Sequence, residues 1–159
     1  MNTLEILIAI WTAMLTLVAT YVVVKQYQLE KTKIKFEHFE RRYSLYKKVM
    51  DYISSVVREA ATTTQEMFEF RKETIDVAIF FDDEIKKYVD DMFAKANRVR
   101  YLTDITSKNN LEHEIHVKFV EELHDLITWF GKQITVCQIE FLKYLRIDVN
   151  IFNKPFKKK

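Results

Sequence analysis

Ile6-Leu7-Ile8-Ala9-Ile10-Trp11-Thr12-Ala13-Met14-Leu15-Thr16-Leu17-Val18-Ala19-Thr20-Tyr21-Val22-Val23-Val24 decides how the chain is read. No charged residue, glycine or proline interrupts it. At ~1.5 Å rise per residue, a helix of this length covers about 28 Å, close to the hydrocarbon thickness of a bilayer. The stretch therefore predicts a single transmembrane helix within residues 1–25. The preceding residues, Met1 to Glu5, lack Lys and Arg. No small-residue cleavage pattern follows, so a retained anchor is expected rather than a signal peptide.

Base asymmetry sets the expected orientation. Lys25, Lys31, Lys33 and Lys35 follow the apolar run within about a dozen residues. The positive-inside bias then leaves the N-terminus outside and the rest of the chain in the cytoplasm. Within the run, Ala9, Thr12, Ala13, Thr16 and Thr20 fall on one helical face. Small and hydroxyl-bearing side chains let helices approach closely in lipid, so this face is a candidate assembly seam. The plainer alternative is a lipid-facing set whose hydroxyls bond their own i−4 carbonyls.

Beyond the anchor the composition is that of a packed, water-facing domain: 48% of the 159 residues are hydrophobic and 30% charged. A single Gly (Gly131) and a single Pro (Pro155) leave too few turn residues for a sheet protein. The predicted class is all-α: one N-terminal transmembrane helix and a cytosolic antiparallel bundle of about four helices over 26–150. A basic tail, 151–159, follows.

Phe36, Phe39, Tyr43, Tyr46, Met50, Ile53, Val57 and Ala60 recur three and four apart, with Val49, Tyr52 and Val56 widening the stripe. This predicts a first bundle helix over 25–60, joined to the anchor directly or through a bend at 31–33. Thr63 and Glu66 form a capping-box pattern for a second helix reaching about residue 80 and burying Met67, Phe70, Thr74, Val77 and Phe81. Asp82-Asp83-Glu84 opens a third, which buries Ile85, Val89, Met92, Ala96, Val99 and Leu102. Residues 103–110 read as a loop. A fourth helix over 111–145 buries Phe119, Leu123, Leu126, Phe130, Ile134, Cys137, Phe141 and Leu145. Gly131 inside it suggests a close helix contact or a slight bend. The expected core joins Tyr43, Tyr46, Met50 and Ile53 to Phe119, Leu126, Phe130 and Phe141.

The net charge of +2 is unevenly spread. Residues 25–60 carry nine bases and five acids, and 126–159 carry seven and two. Residues 101–125 carry two bases and six acids. Up-down-up-down connectivity would return the C-terminus toward the membrane, where Lys157, Lys158 and Lys159 could meet lipid.

Little chemistry is legible. Cys137, the one cysteine, sits among apolar residues and reads as a buried thiol. His113, His116 and His124, with Glu112 and Glu121, share a helix region. They lack the i, i+4 histidine spacing of a zincin helix, and are read as solvated surface rather than a metal site. Asp82, Asp83 and Glu84 are helix-start residues, and Asp90 and Asp91 belong to a polar face. No catalytic residue, metal or cofactor is expected. One glycine excludes glycine-rich phosphate loops. The basic residues near the membrane fit lipid headgroups better than nucleic acid, which is not an expected partner.

The stretch from Lys35 to Tyr46 contains Phe39-x-x-Arg42-Tyr43-x-x-Tyr46. It resembles the opening of a family of bacterial membrane-anchored helical proteins with no established activity. Two later stretches are similar as well: Phe68 to Arg71 on through Phe80 to Ile85, and Trp129 to Gly131 on through Tyr144-Leu145. The resemblance implies a bacterial inner-membrane protein with a cytosolic helical domain. In outline, small anchored bundles are also similar to membrane effectors of bacterial anti-phage systems. The expected function is non-enzymatic: a membrane-held bundle that binds a protein partner or forms a homo-oligomer. A membrane-perturbing defence effector is the alternative.

Overall fold

The computed structural model describes residues 3–108 and 112–145, and all regular structure among them is helical. The helices are α1 (Thr3–Glu59), α2 (Thr64–Glu73), α3 (Val77–Phe80), α4 (Asp83–Thr106) and α5 (His113–Leu145). The chain divides into two compact units, Met1–His38 and Phe39–Lys159.

The first unit is the N-terminal part of α1, and every described residue in it is exposed. It is long and apolar enough to cross a membrane. The bend considered at 31–33 is absent. Thr32 Oγ1 donates to the Gln28 carbonyl at 3.0 Å, and helical geometry runs through the segment. The lysines there are good helix formers, and Lys33 meets Glu37 one turn on at 3.9 Å.

The second unit has one core. From α1 it takes Leu45, Val49, Tyr52, Ile53 and Val56. This is the expected stripe rotated by about one position. Leu45 is buried, Tyr46 and Met50 lie at the margin, and Tyr43 is 47% exposed. The rotation keeps the branched aliphatic residues and Tyr52 inside and leaves Tyr43 and Tyr46 at the edge, where a polar tip can reach water. Phe36 lies outside this unit and is exposed.

The connection after α1 turns at Ala60, whose φ of 49° is left-handed. A residue in that region commonly ends a helix, though glycine suits it better than alanine. The capping box then forms: Thr63 N donates to Glu66 Oε2 at 2.7 Å, and Glu66 N donates to Thr63 Oγ1 at 3.2 Å. Tyr52 stacks on Phe70 at 4.1 Å and shares a 3.2 Å hydrogen bond with Thr62, fastening α2 to α1.

The second predicted helix is in fact two. α2 ends at Glu73, where buried Thr74 bonds the Phe70 carbonyl through both its hydroxyl (2.7 Å) and its backbone N–H (3.0 Å). A Thr hydroxyl that bonds its i−4 carbonyl competes with helical continuation. The α4 boundary differs in the other direction. It runs to Thr106, four residues into the expected loop, with Thr103 and Thr106 hydroxyls returned to the Val99 and Leu102 carbonyls.

α4 lies antiparallel along α5, as paired residues show: Asp82 with Tyr144, Lys95 with Trp129, Arg98 with Glu122. Phe130, Cys137 and Phe141 are fully buried between the helices, whereas Phe119 and Leu126 are only half-buried. Gly131 makes no close helix contact. Among the described residues, a Cβ placed there would meet nothing within 4 Å, so the contact expected from sequence is absent among them.

Candidate functional site

On α1, residues 9, 12, 13, 16 and 20 fall within a sector of about 100°, since each residue advances ~100° around the axis. All three Thr hydroxyls on it are satisfied internally. Thr12 donates to the Ile8 carbonyl at 3.0 Å, Thr16 to Thr12 at 2.8 Å and Thr20 to Thr16 at 2.8 Å. The face therefore presents methyl groups rather than unpaired donors. That is compatible with a hydrocarbon environment, where an unpaired polar group is costly. Around the rest of the helix, Leu7, Trp11, Leu15, Leu17 and Val18 are each more than half exposed. Nothing in this unit buries them.

At the C-terminal edge of the run, the Lys25 ammonium lies 5.8 Å from the Tyr21 ring centroid. Lys31, Lys33 and Lys35 follow, all exposed. Lys157, Lys158 and Lys159, with the rest of the tail, lie outside the described residues.

A second cluster lies in the second unit. Arg42 on α1 donates from Nε to the Phe80 carbonyl at 2.9 Å and from a terminal nitrogen to the Tyr144 carbonyl at 3.4 Å. Its guanidinium also sits 6.0 Å from the Phe81 ring centroid. Phe81 packs edge-on against Phe141 (5.0 Å) and Tyr144 (5.5 Å). Asp82 caps α4, accepting from Glu84 N and Ile85 N at 3.2 Å, and also accepts from the Tyr144 hydroxyl. The Tyr144 hydrogen bond, helped by the backbone donors, holds the Asp82 carboxyl below its usual range. The same bond pushes Tyr144 up to about 12.

This cluster joins the three stretches that carried the family resemblance. Arg42, Phe80 to Asp82 and Tyr144 are far apart in sequence and meet at one end of the unit. Its parts are structural. A cation meets the carbonyl end of α5, a carboxylate starts α4, and aromatic rings fill the space between. The Arg42 contacts carry no sequence periodicity and were not legible beforehand.

Elsewhere, Cys137 is buried, and burial pushes its thiol up to about 12, which suits an unreactive thiol. The neighbouring Tyr88 hydroxyl is buried and makes no well-formed hydrogen bond among the described residues; its polar neighbour is the Cys137 thiol, a weak partner. His116 lies 3.4 Å from the Thr106 carbonyl, while His113 and His124 are exposed. Asp90 takes Arg71 and Lys86 (2.8 Å), and Asp91 takes Lys95 (2.5 Å). These pairs leave the acidic residues engaged in ordinary surface electrostatics. Among the described residues, no group of three His, Cys, Asp or Glu side chains is arranged to hold a metal.

Compared with family models, with curated proteins and with solved structures, the chain gives no match.

Proposed function

We propose that the chain is a non-enzymatic single-pass membrane protein whose helical domain serves partner binding or self-assembly at the membrane. In this reading residues 6–24 span the bilayer, with the N-terminus outside. The second unit, an antiparallel bundle, lies in the cytoplasm of a bacterial cell at its inner membrane. The observation that carries the proposal is the first unit itself. Its apolar side chains are exposed on every side of a continuous helix, and only lipid or other apolar helices would cover them all.

Self-assembly would use Ala9, Thr12, Ala13, Thr16 and Thr20. Their short side chains allow close approach, and their satisfied hydroxyls bring no unmet donors into the contact. Chemical crosslinking of the full chain in membranes tests this. Unmodified protein is expected to give discrete oligomers, and Ala13→Leu with Thr16→Leu is expected to reduce them. Unchanged oligomers in the double variant would refute the seam. Loss of membrane potential on expression would instead favour a membrane-perturbing effector.

A further inference from the structure

The lysines after the apolar run follow a geometry that neither a protein partner nor simple solubility requires. Because α1 continues without a break, their heights and directions can be worked out. Counting from Val24 at ~1.5 Å per residue, the Cα atoms of Lys31, Lys33 and Lys35 lie about 10, 14 and 17 Å beyond the end of the apolar run. The headgroup layer occupies roughly the first 5–7 Å of that distance. All three therefore start about 3–12 Å outside the headgroups. Side chains on a helix tilt toward its N-terminus, which in this case is toward the bilayer. Their ammonium groups thus come within about one Debye length, ~8 Å, of the lipid surface.

The directions matter as much as the heights. At ~100° per residue, Lys25, Lys33, Lys31 and Lys35 point to roughly 0°, 80°, 240° and 280° around the axis. A partner helix or acidic peptide would engage one face, and these four do not share one. A planar field of headgroups surrounds the helix and can meet all of them. The only acid between positions 25 and 35 is Glu30. Glu37 reaches Lys33 at 3.9 Å with both side chains more than half exposed, a loose pair that leaves the cation free to exchange partners.

We infer that Lys25, Lys31, Lys33 and Lys35 form a belt over about 200° of the circumference of α1, wider than one helix face, that selects anionic lipid headgroups. The inference rests on the membrane-spanning reading above. The belt would gather anionic lipid beside the emerging helix as well as orient it.

The test reconstitutes the full chain into phosphatidylcholine vesicles. These contain a trace of spin-labelled phosphatidylglycerol or, in parallel, spin-labelled phosphatidylcholine. The motionally restricted fraction of each label gives its relative association with the helix. A roughly two- to fivefold preference for phosphatidylglycerol is expected at low salt, falling toward parity in 1 M salt. Lys31→Gln, Lys33→Gln and Lys35→Gln together should remove most of the preference, and Glu30→Gln should raise it. Equal association of the two lipids with unmodified protein would overturn the inference. So would a preference that survives the triple substitution. Failure of the spanning reading looks different: neither label would show a restricted fraction.

Discussion

Replacing Gly131 by Ala should make the helical domain more stable. Gly131 lies inside α5, far from either end, where glycine loses more backbone freedom on folding than any other residue. In a helix interior that difference amounts to about 1 kcal/mol relative to Ala. A glycine is retained at such a place when a neighbour needs the room, but among the described residues a Cβ at 131 meets nothing within 4 Å. Its φ is not positive, so Ala faces no backbone strain either. The full ~1 kcal/mol should therefore appear as stability. For a domain of this size it would raise the melting temperature by roughly 3–6 °C. The assay is thermal unfolding of the full chain in a fixed detergent, followed by circular dichroism. Gly131→Val supplies an internal check. Its Cβ has the same open space but its branched side chain has a poorer helix propensity, so its gain should be less than half that of Ala. A melting temperature unchanged or lowered by Ala would refute the reasoning, because some contact at 131 would then need the glycine.

Tyr88→Phe should also stabilise, by up to about 1 kcal/mol, because it keeps the ring and removes a buried hydroxyl whose polar neighbour is only the weakly accepting Cys137 thiol; denaturant midpoints compared at equal slope would show it. The pH profile of stability should fall at both ends. Asp82, Asp90 and Glu122 are held below the usual carboxylate range by hydrogen bonds from Tyr144, Lys86 and Arg98 respectively. Their contribution is complete above about pH 4–5, the unfolded values, and is lost as pH falls through the lower folded values. At the alkaline end, burial raises Tyr46, Tyr52, Tyr88 and Cys137, and the bond to Asp82 raises Tyr144. Stability should hold below the unfolded values and decline as pH rises past about 9–10. Denaturant titrations from pH 2 to 11 measure both limbs, and a profile level across that range would contradict the assignment.

Much of the fold was legible in the sequence because helical periodicity reports burial directly. Ile85, Val89, Met92, Ala96, Val99 and Leu102 were read as the inner face of α4, and all six are buried. Thr63 with Glu66 was equally readable, because a capping box is a local device whose two partners lie three residues apart. The misreadings arose where tertiary context decides. The α1 stripe had aromatic residues on both flanks, so its centre could be placed only once the opposing helices were known. The break at Thr74 depends on a hydroxyl choosing a backbone carbonyl. Of the two readings of Gly131, a close contact or a slight bend, the contact fails, because a Cβ there meets only open space among the described residues.

The candidate site divides in the same way. The Ala/Thr face and the lysine belt follow from local spacing on one helix and could be written down in advance. The Arg42 cluster could not, because its partners are two backbone carbonyls, at Phe80 and Tyr144, brought together only by packing. Periodicity locates side chains on faces but carries no information about which carbonyls a guanidinium will find.

The proposed function requires residues 6–24 to reside in a bilayer. Membranes from cells expressing the full chain can be washed in alkaline carbonate, which strips peripheral proteins, and floated on a density gradient. A chain held by residues 6–24 floats with the lipid, and Leu15→Asp with Val18→Asp moves it to the soluble fractions. Recovery of the unmodified chain in the soluble fractions after the wash would contradict the central claim.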